Sequence, residues 1–91
     1  MNFGQAIELI KKGGQASRKG WNGKNQHIEL AKNVTFVNRY GKTVIAKHED
    51  VGSQAIAFVG TRGIQMGWLA SQSDMLADDW IGLDIKGNYV E

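Results

Sequence analysis

The residues best suited to ligand chemistry lie in one short stretch, RKGWNGKN, at positions 18–25. Trp21 stands between Gly20 and an asparagine, with Arg18, Lys19 and Lys24 close by, so it has no apolar neighbour in sequence. A ring beside cations and flexible backbone suits stacking on a nucleobase with contact to phosphate, and stacking is worth about 1–3 kcal/mol per base. The alternative is a surface tryptophan that packs on the N-terminal helix.

Other groups that could do chemistry give weaker signals. The chain has no cysteine and two histidines, which excludes a thiol nucleophile and a Cys-type zinc site. The acidic cluster at 48–50 is expected to be a solvated loop, and His27 an ordinary half-buried strand residue. Asp78 and Asp79 are adjacent on a predicted helix and point in different directions, which favours a charge pair at the helix end over a metal site. We expect no catalytic residues, no metal and no cofactor.

Length and composition predict one domain, residues 1–91. A chain this short buries only somewhat more than about 60 % of its unfolded surface, so oligomerisation is a common way to gain stability. The absence of cysteine fits a reducing compartment. No stretch reaches the roughly 18 apolar residues of a membrane span, and the N-terminus lacks a signal-peptide core. We therefore expect a cytoplasmic protein without a membrane partner.

The net charge of +2 conceals an asymmetry along the chain. Residues 1–48 hold nine Lys or Arg and two acids, whereas residues 49–91 hold two Lys or Arg and seven acids. A fold joining these halves could carry a basic side suited to phosphates. Equally, the two halves could neutralise each other.

The clearest predicted element is a helix over residues 2–12. Phe3, Ala6, Ile7 and Ile10 recur at the spacing of one apolar helix face. A capping box is expected at the first turn between Asn2 and Gln5, and the following Gly-Gly pair ends the helix.

Short strands and turns are predicted for most of the remaining chain. The predicted strands are 15–18, 27–31, 34–37, 43–46, 55–59, 64–68 and 80–85, with turns at 38–42, 60–63 and 87–88. The glycine-rich turns at 20–24 and 60–63 lack the Walker spacing, so each is more often just a turn, although backbone N–H groups there can form anion nests.

A second helix is expected to begin at Ser71, because Ser71 and Asp74 form a capping-box pair. Trp80 shares a helical apolar pattern with Leu76 and is assigned to the core. The sum is two short helices among about six strands, an α+β domain with antiparallel strands.

Two stretches together resemble a known family. RKGWNG at 18–23 follows an N-terminal helix that contains FGQAI at 3–7, and WLASQSDMLADDW occupies 68–80. This pairing is similar to the small phage-encoded family of Thoeris anti-defence proteins of the second type. The pattern W-x-x-S-Q-x-D-x-L-A-x-D-W is long and specific, whereas residues 26–66 contain no motif that we match to the family.

The resemblance implies a non-enzymatic protein that binds and sequesters glycocyclic ADP-ribose, the signal made by bacterial TIR-domain immune proteins. It also implies a homotetramer with ligand pockets between protomers, acting in the host cytoplasm, and cyclic dinucleotides as possible further ligands. A domain this small has little interior for a pocket of about 300 Å³ or more, which agrees with a pocket shared between subunits.

The two motifs supply residue types that fit such a ligand. Arg18, with Lys19 or Lys24, would contact phosphate; Trp21 and Trp68 would stack on or enclose the base; Asn22, Gln72 and Asp74 would read ribose or adenine edges. Ser71 could contact ligand, but a helix cap is favoured. The expected ligand-binding set is Arg18, Trp21, Asn22, Gly23, Trp68, Ser71, Gln72 and Asp74. Alternatively, a capping network holds the 68–80 run together without touching ligand.

Three other functions remain open at this stage. A basic nucleic-acid-binding module would fit the sequence pI near 9.0, although the acidic second half argues against it, and we expect no nucleic acid partner. An enzyme that degrades the same signal is the second alternative. A phage protein that binds only other proteins is the third.

Overall fold

The protein is described by a computed structural model that covers residues 1–21, 26–32, 34–46 and 54–91, with the backbone alone at 34–36 and 44–46. The predicted residues Asn22, Gly23 and Lys24 and the acidic cluster at 48–50 lie outside the described residues.

Helix α1 covers Phe3–Lys11. Asn2 caps it: its side chain accepts a hydrogen bond from the backbone of Gln5, and the Gln5 side chain accepts one from the backbone of Asn2. The predicted capping box is therefore confirmed, and the helix is one residue shorter at each end than predicted. Ala6 and Ile10 are buried, while Phe3 and Ile7 on the same face are partly buried.

The main sheet has six strands in the order β6-β5-β2-β1-β7-β8, and every neighbouring pair is antiparallel. Its strands are β1 (Gln15–Arg18), β2 (His27–Lys32), β5 (Gln54–Gly60), β6 (Gly63–Met66), β7 (Trp80–Leu83) and β8 (Tyr89–Val90). A separate two-stranded sheet pairs β3 (Val34–Val37) with β4 (Thr43–Ala46). Helix α2 (Gln72–Leu76) lies between β6 and β7 in sequence.

The core lies between α1 and one face of the main sheet. Its fully buried residues are Ala6, Ile10, Ala16, Ile28 and Trp80. Helix α1 approaches the sheet closely at Gly82, where an added Cβ would collide with the carbonyl oxygen of Gln15 and lie 2.7 Å from Leu9 Cδ2. A glycine in the middle of β7 thus lets the helix rest directly on the strands.

The predicted α+β class is confirmed, but the predicted number of strands is too low. The described chain contains eight strands rather than about six: each of the seven predicted ranges holds one, and the two-residue strand β8 follows the predicted turn at Gly87. The strand expected at 64–68 is shifted to Gly63–Met66. Gly67, with a φ of 78°, ends it and turns the chain, so that Trp68 leaves the strand.

Trp80 is fully buried, as predicted, although the reason given for it is wrong. The residue opens β7, whereas its supposed helical partner Leu76 is 80 % exposed at the end of α2. No helix within the described segments is long and apolar enough to cross a membrane.

Candidate ligand-binding site

Arg18 brings the two sequence motifs together. It stands at the end of β1, and its guanidinium donates from Nε to Asp79 Oδ1 at 2.9 Å and from Nη1 to Asp74 Oδ1 at 2.9 Å. About a fifth of the Arg18 side chain is exposed, so these ion pairs are partly shielded from water. We call Arg18, Asp74 and Asp79 the arginine clamp.

Asp74 is also the partner of the N-cap residue Ser71 in the capping box of helix α2. Its Oδ2 accepts hydrogen bonds from the backbone N–H of Ser71 at 3.0 Å and from the Ser71 hydroxyl at 2.9 Å. In return, the Ser71 hydroxyl accepts from the Asp74 N–H at 3.2 Å, which completes the predicted capping box. One carboxylate thus fixes both the start of α2 and the guanidinium from β1.

The clamp holds both carboxylates in their ionised form. Partial burial disfavours the charge on Asp74, but hydrogen bonds from Ser71 and Arg18 outweigh it and place the pKa of Asp74 below the ordinary 3.8. The hydrogen bond from Arg18 lowers the pKa of Asp79 despite an opposing contribution from desolvation, and the backbone of Gly20 lowers it further. Hydrogen bonds to Asp79 and Asp74 in turn raise the pKa of Arg18.

Four aromatic rings lie beside the clamp. Trp21 contacts Phe58 and Trp80 edge-on, with ring centroids 5.3 Å apart in each case, and it contacts Trp68 at 6.2 Å. Phe58 and Trp68 are close to parallel, with centroids 6.4 Å apart and an interplanar angle of 21°. We call Trp21, Phe58, Trp68 and Trp80 the aromatic cluster.

Trp80 is the fully buried member of this cluster. Its indole Nε1 donates to the backbone carbonyl of Asp74 at 2.9 Å, which ties α2 to the core. Trp21, Phe58 and Trp68 are only partly buried, so the cluster extends from the core to the surface. Edge-to-face packing of this kind adds about 0.5–1.5 kcal/mol per pair beyond the area buried.

One cleft of the described chain adjoins this region, and another lies elsewhere on the main sheet. A cleft of about 350 Å³ adjoins Phe58 and the β5–β6 turn. A second, of about 320 Å³, lies on the opposite face of the sheet, where Ser17, His27 and Leu83 help to line it. Neither Trp21 nor Trp68 lines these clefts. The described residues contain no group of His, Cys, Asp and Glu that could hold a metal ion.

Comparison with known proteins identifies the family. The model of the Thoeris anti-defense 2-like domain matches residues 1–83. The chain is also 35 % identical over 81 residues to a protein named Thoeris anti-defense 2 from Bacillus phage SP01, covering 88 % of this chain and 91 % of that protein. The chain belongs to the Thoeris anti-defence 2 family. The resemblance stated from the motifs is therefore confirmed, and the family supports a role in phage anti-defence against Thoeris.

The structure of this Thoeris anti-defence 2 protein brings four of the predicted binding residues into one region. Trp21 and Trp68 lie in the aromatic cluster, and Arg18 and Asp74 in the clamp. Their contact with ligand stays a prediction, and Arg18 already has two carboxylate partners inside the chain. The alternative of a surface tryptophan that packs on the N-terminal helix is incomplete, because the Trp21 ring contacts Phe58 of β5, Trp80 of β7 and Trp68.

Ser71, Gln72 and Lys19 are the other predicted contacts that the structure describes. Ser71 is used as a helix cap, which the sequence favoured. Gln72 is exposed at the first position of α2. Lys19 is exposed and pairs with Glu91 at 3.3 Å.

Sequence reasoning missed two members of this region. Phe58 belongs to a run predicted as an apolar strand, where nothing in the alternation distinguishes a site residue from a core residue. Asp79 was interpreted as half of a charge pair with Asp78, but its partner is Arg18, 61 positions earlier. The signal that could have found Asp79 is its place inside the same motif as Asp74.

Proposed function

We propose that this Thoeris anti-defence 2 protein is a non-enzymatic sponge that binds glycocyclic ADP-ribose and keeps it from the defence effector. The observation that supports it is the convergence of the two family motifs on one partly exposed aromatic surface. Trp21 and Trp68 are partly exposed rings of a type that stacks on adenine, and Asp74 and Gln72 lie at the start of the adjacent helix. Base stacking and polar contacts to base or ribose edges are the chemistry that such a ligand requires.

A second protomer would complete the pocket. Three clefts on the described surface of one chain are not lined by Trp21 or Trp68, whereas small ligands are usually buried over most of their surface. Leu69 and Leu76, in the same motif as Trp68, are 89 % and 80 % exposed. Large apolar side chains exposed near a site are typical of a surface that meets another protein. We infer that the protein is a homotetramer with ligand pockets between protomers.

Rigidity of the site supports tight binding. A nanomolar dissociation constant requires about 12 kcal/mol of binding free energy, which one stacked base and two phosphate contacts reach only in a preformed pocket. The clamp and the cap fix Asp74 from two directions, and the buried Trp80 supports the ring of Trp21. Little side-chain freedom then remains to be lost when ligand binds.

The electrostatics of the clamp favour binding without turnover. A general base or acid works best with a pKa near the working pH. Asp74 and Asp79 have lowered pKa values and are held as ion pairs, so neither is poised to exchange a proton with a ligand near neutral pH.

A release experiment tests the proposal. Protein is incubated with glycocyclic ADP-ribose, desalted and heat-denatured, and the supernatant is separated by chromatography. Sequestration predicts intact ligand in stoichiometric amount, whereas a new product peak would establish a degrading enzyme. A thermal-shift panel of cyclic ADP-ribose isomers, cyclic dinucleotides and a labelled oligonucleotide then tests specificity. A ligand that binds raises the melting temperature, because at a hundred times its dissociation constant it stabilises the folded state by about 2.7 kcal/mol.

A further inference from the structure

The arginine clamp already uses Arg18, the cation that the sequence predicts for phosphate binding. Arg18 lies against Asp74 and Asp79, each with an oxygen 2.9 Å from a guanidinium nitrogen. One positive and two negative charges give the clamp a net charge of −1, so it does not attract a diphosphate. Freeing Arg18 would also leave a partly buried carboxylate unpaired, which costs free energy. A cation from another element would therefore suit a ligand with two phosphates better than Arg18 does.

The β5–β6 hairpin supplies such a cation next to the aromatic cluster. Gly60 pairs with Gly63, so the loop between them consists of Thr61 and Arg62 alone. Arg62 lines the cleft of about 350 Å³ at this end of the sheet. It is exposed, and it makes no ion pair with any residue in the described parts of the chain.

Phe58 connects this cleft with the tryptophans. Phe58 lines the cleft, and its ring centroid lies 5.3 Å from that of Trp21 and 6.4 Å from that of Trp68. Gly60 leaves the ring edge open, since a Cβ there would lie 3.2 Å from Phe58 Cε1. Phe58 therefore belongs both to the aromatic cluster and to the lining of the cleft.

We propose that Arg62 is the residue that contacts the ligand phosphates, with the β5–β6 turn forming the phosphate end of the site and the aromatic cluster its base end. This inference rests on the proposed function and changes the role of one predicted residue. Arg18 becomes a positioning residue that holds Asp74, and Arg62 takes the phosphate contact. Gln65, which lines the same cleft, offers an amide to the same group.

The test compares Arg62→Gln with Arg39→Gln. Both variants remove one exposed guanidinium, and Arg39 lies on the β3–β4 turn outside the cleft, stacked over Tyr40. Glycocyclic ADP-ribose is titrated by calorimetry at two salt concentrations. Loss of a charged hydrogen bond predicts an affinity about ten to a hundred times weaker for Arg62→Gln, with a weaker salt dependence, and no change for Arg39→Gln.

Tryptophan fluorescence separates the two ends of the site. If the aromatic end of the site is intact, saturating ligand quenches the tryptophan fluorescence of Arg62→Gln as fully as that of the parent protein. Equal affinity for parent and Arg62→Gln, or equal weakening by both variants, overturns the assignment of Arg62 and leaves the proposed function standing. Failure of the parent protein to bind glycocyclic ADP-ribose overturns both.

Discussion

At the scale of single residues, Asp74 has the most connections in the site. Its side chain, 14 % exposed, accepts from the Arg18 guanidinium, from the Ser71 backbone and from the Ser71 hydroxyl, while its carbonyl accepts from the Trp80 indole. Removing the carboxylate leaves donors from a strand and a helix start without their acceptor. Such losses cost more than the mean value of a hydrogen bond, because the donors stay partly desolvated.

Asp74→Ala should therefore lower the free energy of unfolding by about 1–3 kcal/mol. Asp78→Ala is the matched control, since Asp78 is exposed and lies four residues further along the chain. Urea denaturation followed by tryptophan fluorescence gives both midpoints. Equal midpoints for the two variants would show that the clamp contributes nothing to stability.

Protonation of the clamp predicts how stability depends on pH. Asp74 and Asp79 have pKa values lowered in the folded state from an ordinary 3.8, so the folded protein binds fewer protons than the unfolded chain. Their contribution is complete above pH 3.8, declines as the pH falls through that value, and is lost below the lowered pKa values. Melting temperatures from pH 7 to pH 2.5 should fall less steeply for Asp74→Asn than for the parent protein, and parallel curves would contradict this.

At the scale of elements, two close contacts decide where the site residues stand. Strand β7 pairs with β1 so that Arg18 lies opposite Trp80, which places the clamp and the aromatic cluster side by side. Helix α1 can cover these strands only because β7 carries Gly82 under Leu9. The position of the site thus depends on a residue with no side chain to contribute to it.

Gly82→Ala should destabilise the fold by about 3 kcal/mol or more, because the new methyl group would overlap the Gln15 carbonyl and Leu9 and force α1 away from the sheet. Gly4→Ala is the control, and it is expected to change stability in the opposite direction. Gly4 lies in the first turn of α1, with its nearest outside atom 3.4 Å from an added Cβ, so alanine there should stabilise by about 0.5–1 kcal/mol. Thermal unfolding measures both, and a Gly82→Ala protein as stable as the parent would refute the close packing.

At the scale of the whole molecule, the proposed homotetramer gives a single chain only one wall of the proposed ligand pocket. The described core is small, with five fully or almost fully buried residues in its central cluster, and the aromatic cluster reaches the surface. Leu69 and Leu76 extend the apolar surface of the same motif into solvent. Burying them against another protomer would add stability that a core of this size cannot provide alone.

The double substitution Leu69→Ser with Leu76→Ser should therefore reduce the particle mass below that of a tetramer and abolish tight ligand binding. Ile85→Ser is the control. Ile85 is likewise exposed, at 73 %, but it lies away from this motif, beside Gly13 at the end of α1. Light scattering coupled to size-exclusion chromatography measures the mass of each. A parent protein that is a monomer at micromolar concentration would remove the basis for a shared pocket.

Local patterns in the sequence were sufficient for α1, the caps and most strands. The capping boxes at Asn2 and Ser71 join residues three positions apart, so sequence spacing determines them. The apolar face of α1 and the turn at 60–63 are likewise local. The two motifs also indicated the family, because long runs of specific residues remain readable without any structure.

The tertiary structure alone decided which partners these residues have. Arg18 meets Asp79 across 61 positions, and Phe58 reaches Trp21 through the pairing of β5 with β2, neither of which follows from local periodicity. In the sequence, Arg18 is a cation close to the Trp21 indole, and nothing there pairs its charge, so the charge is expected to be available for phosphate. Folding places two carboxylates against that cation, since a partly buried guanidinium is stable only when it is paired.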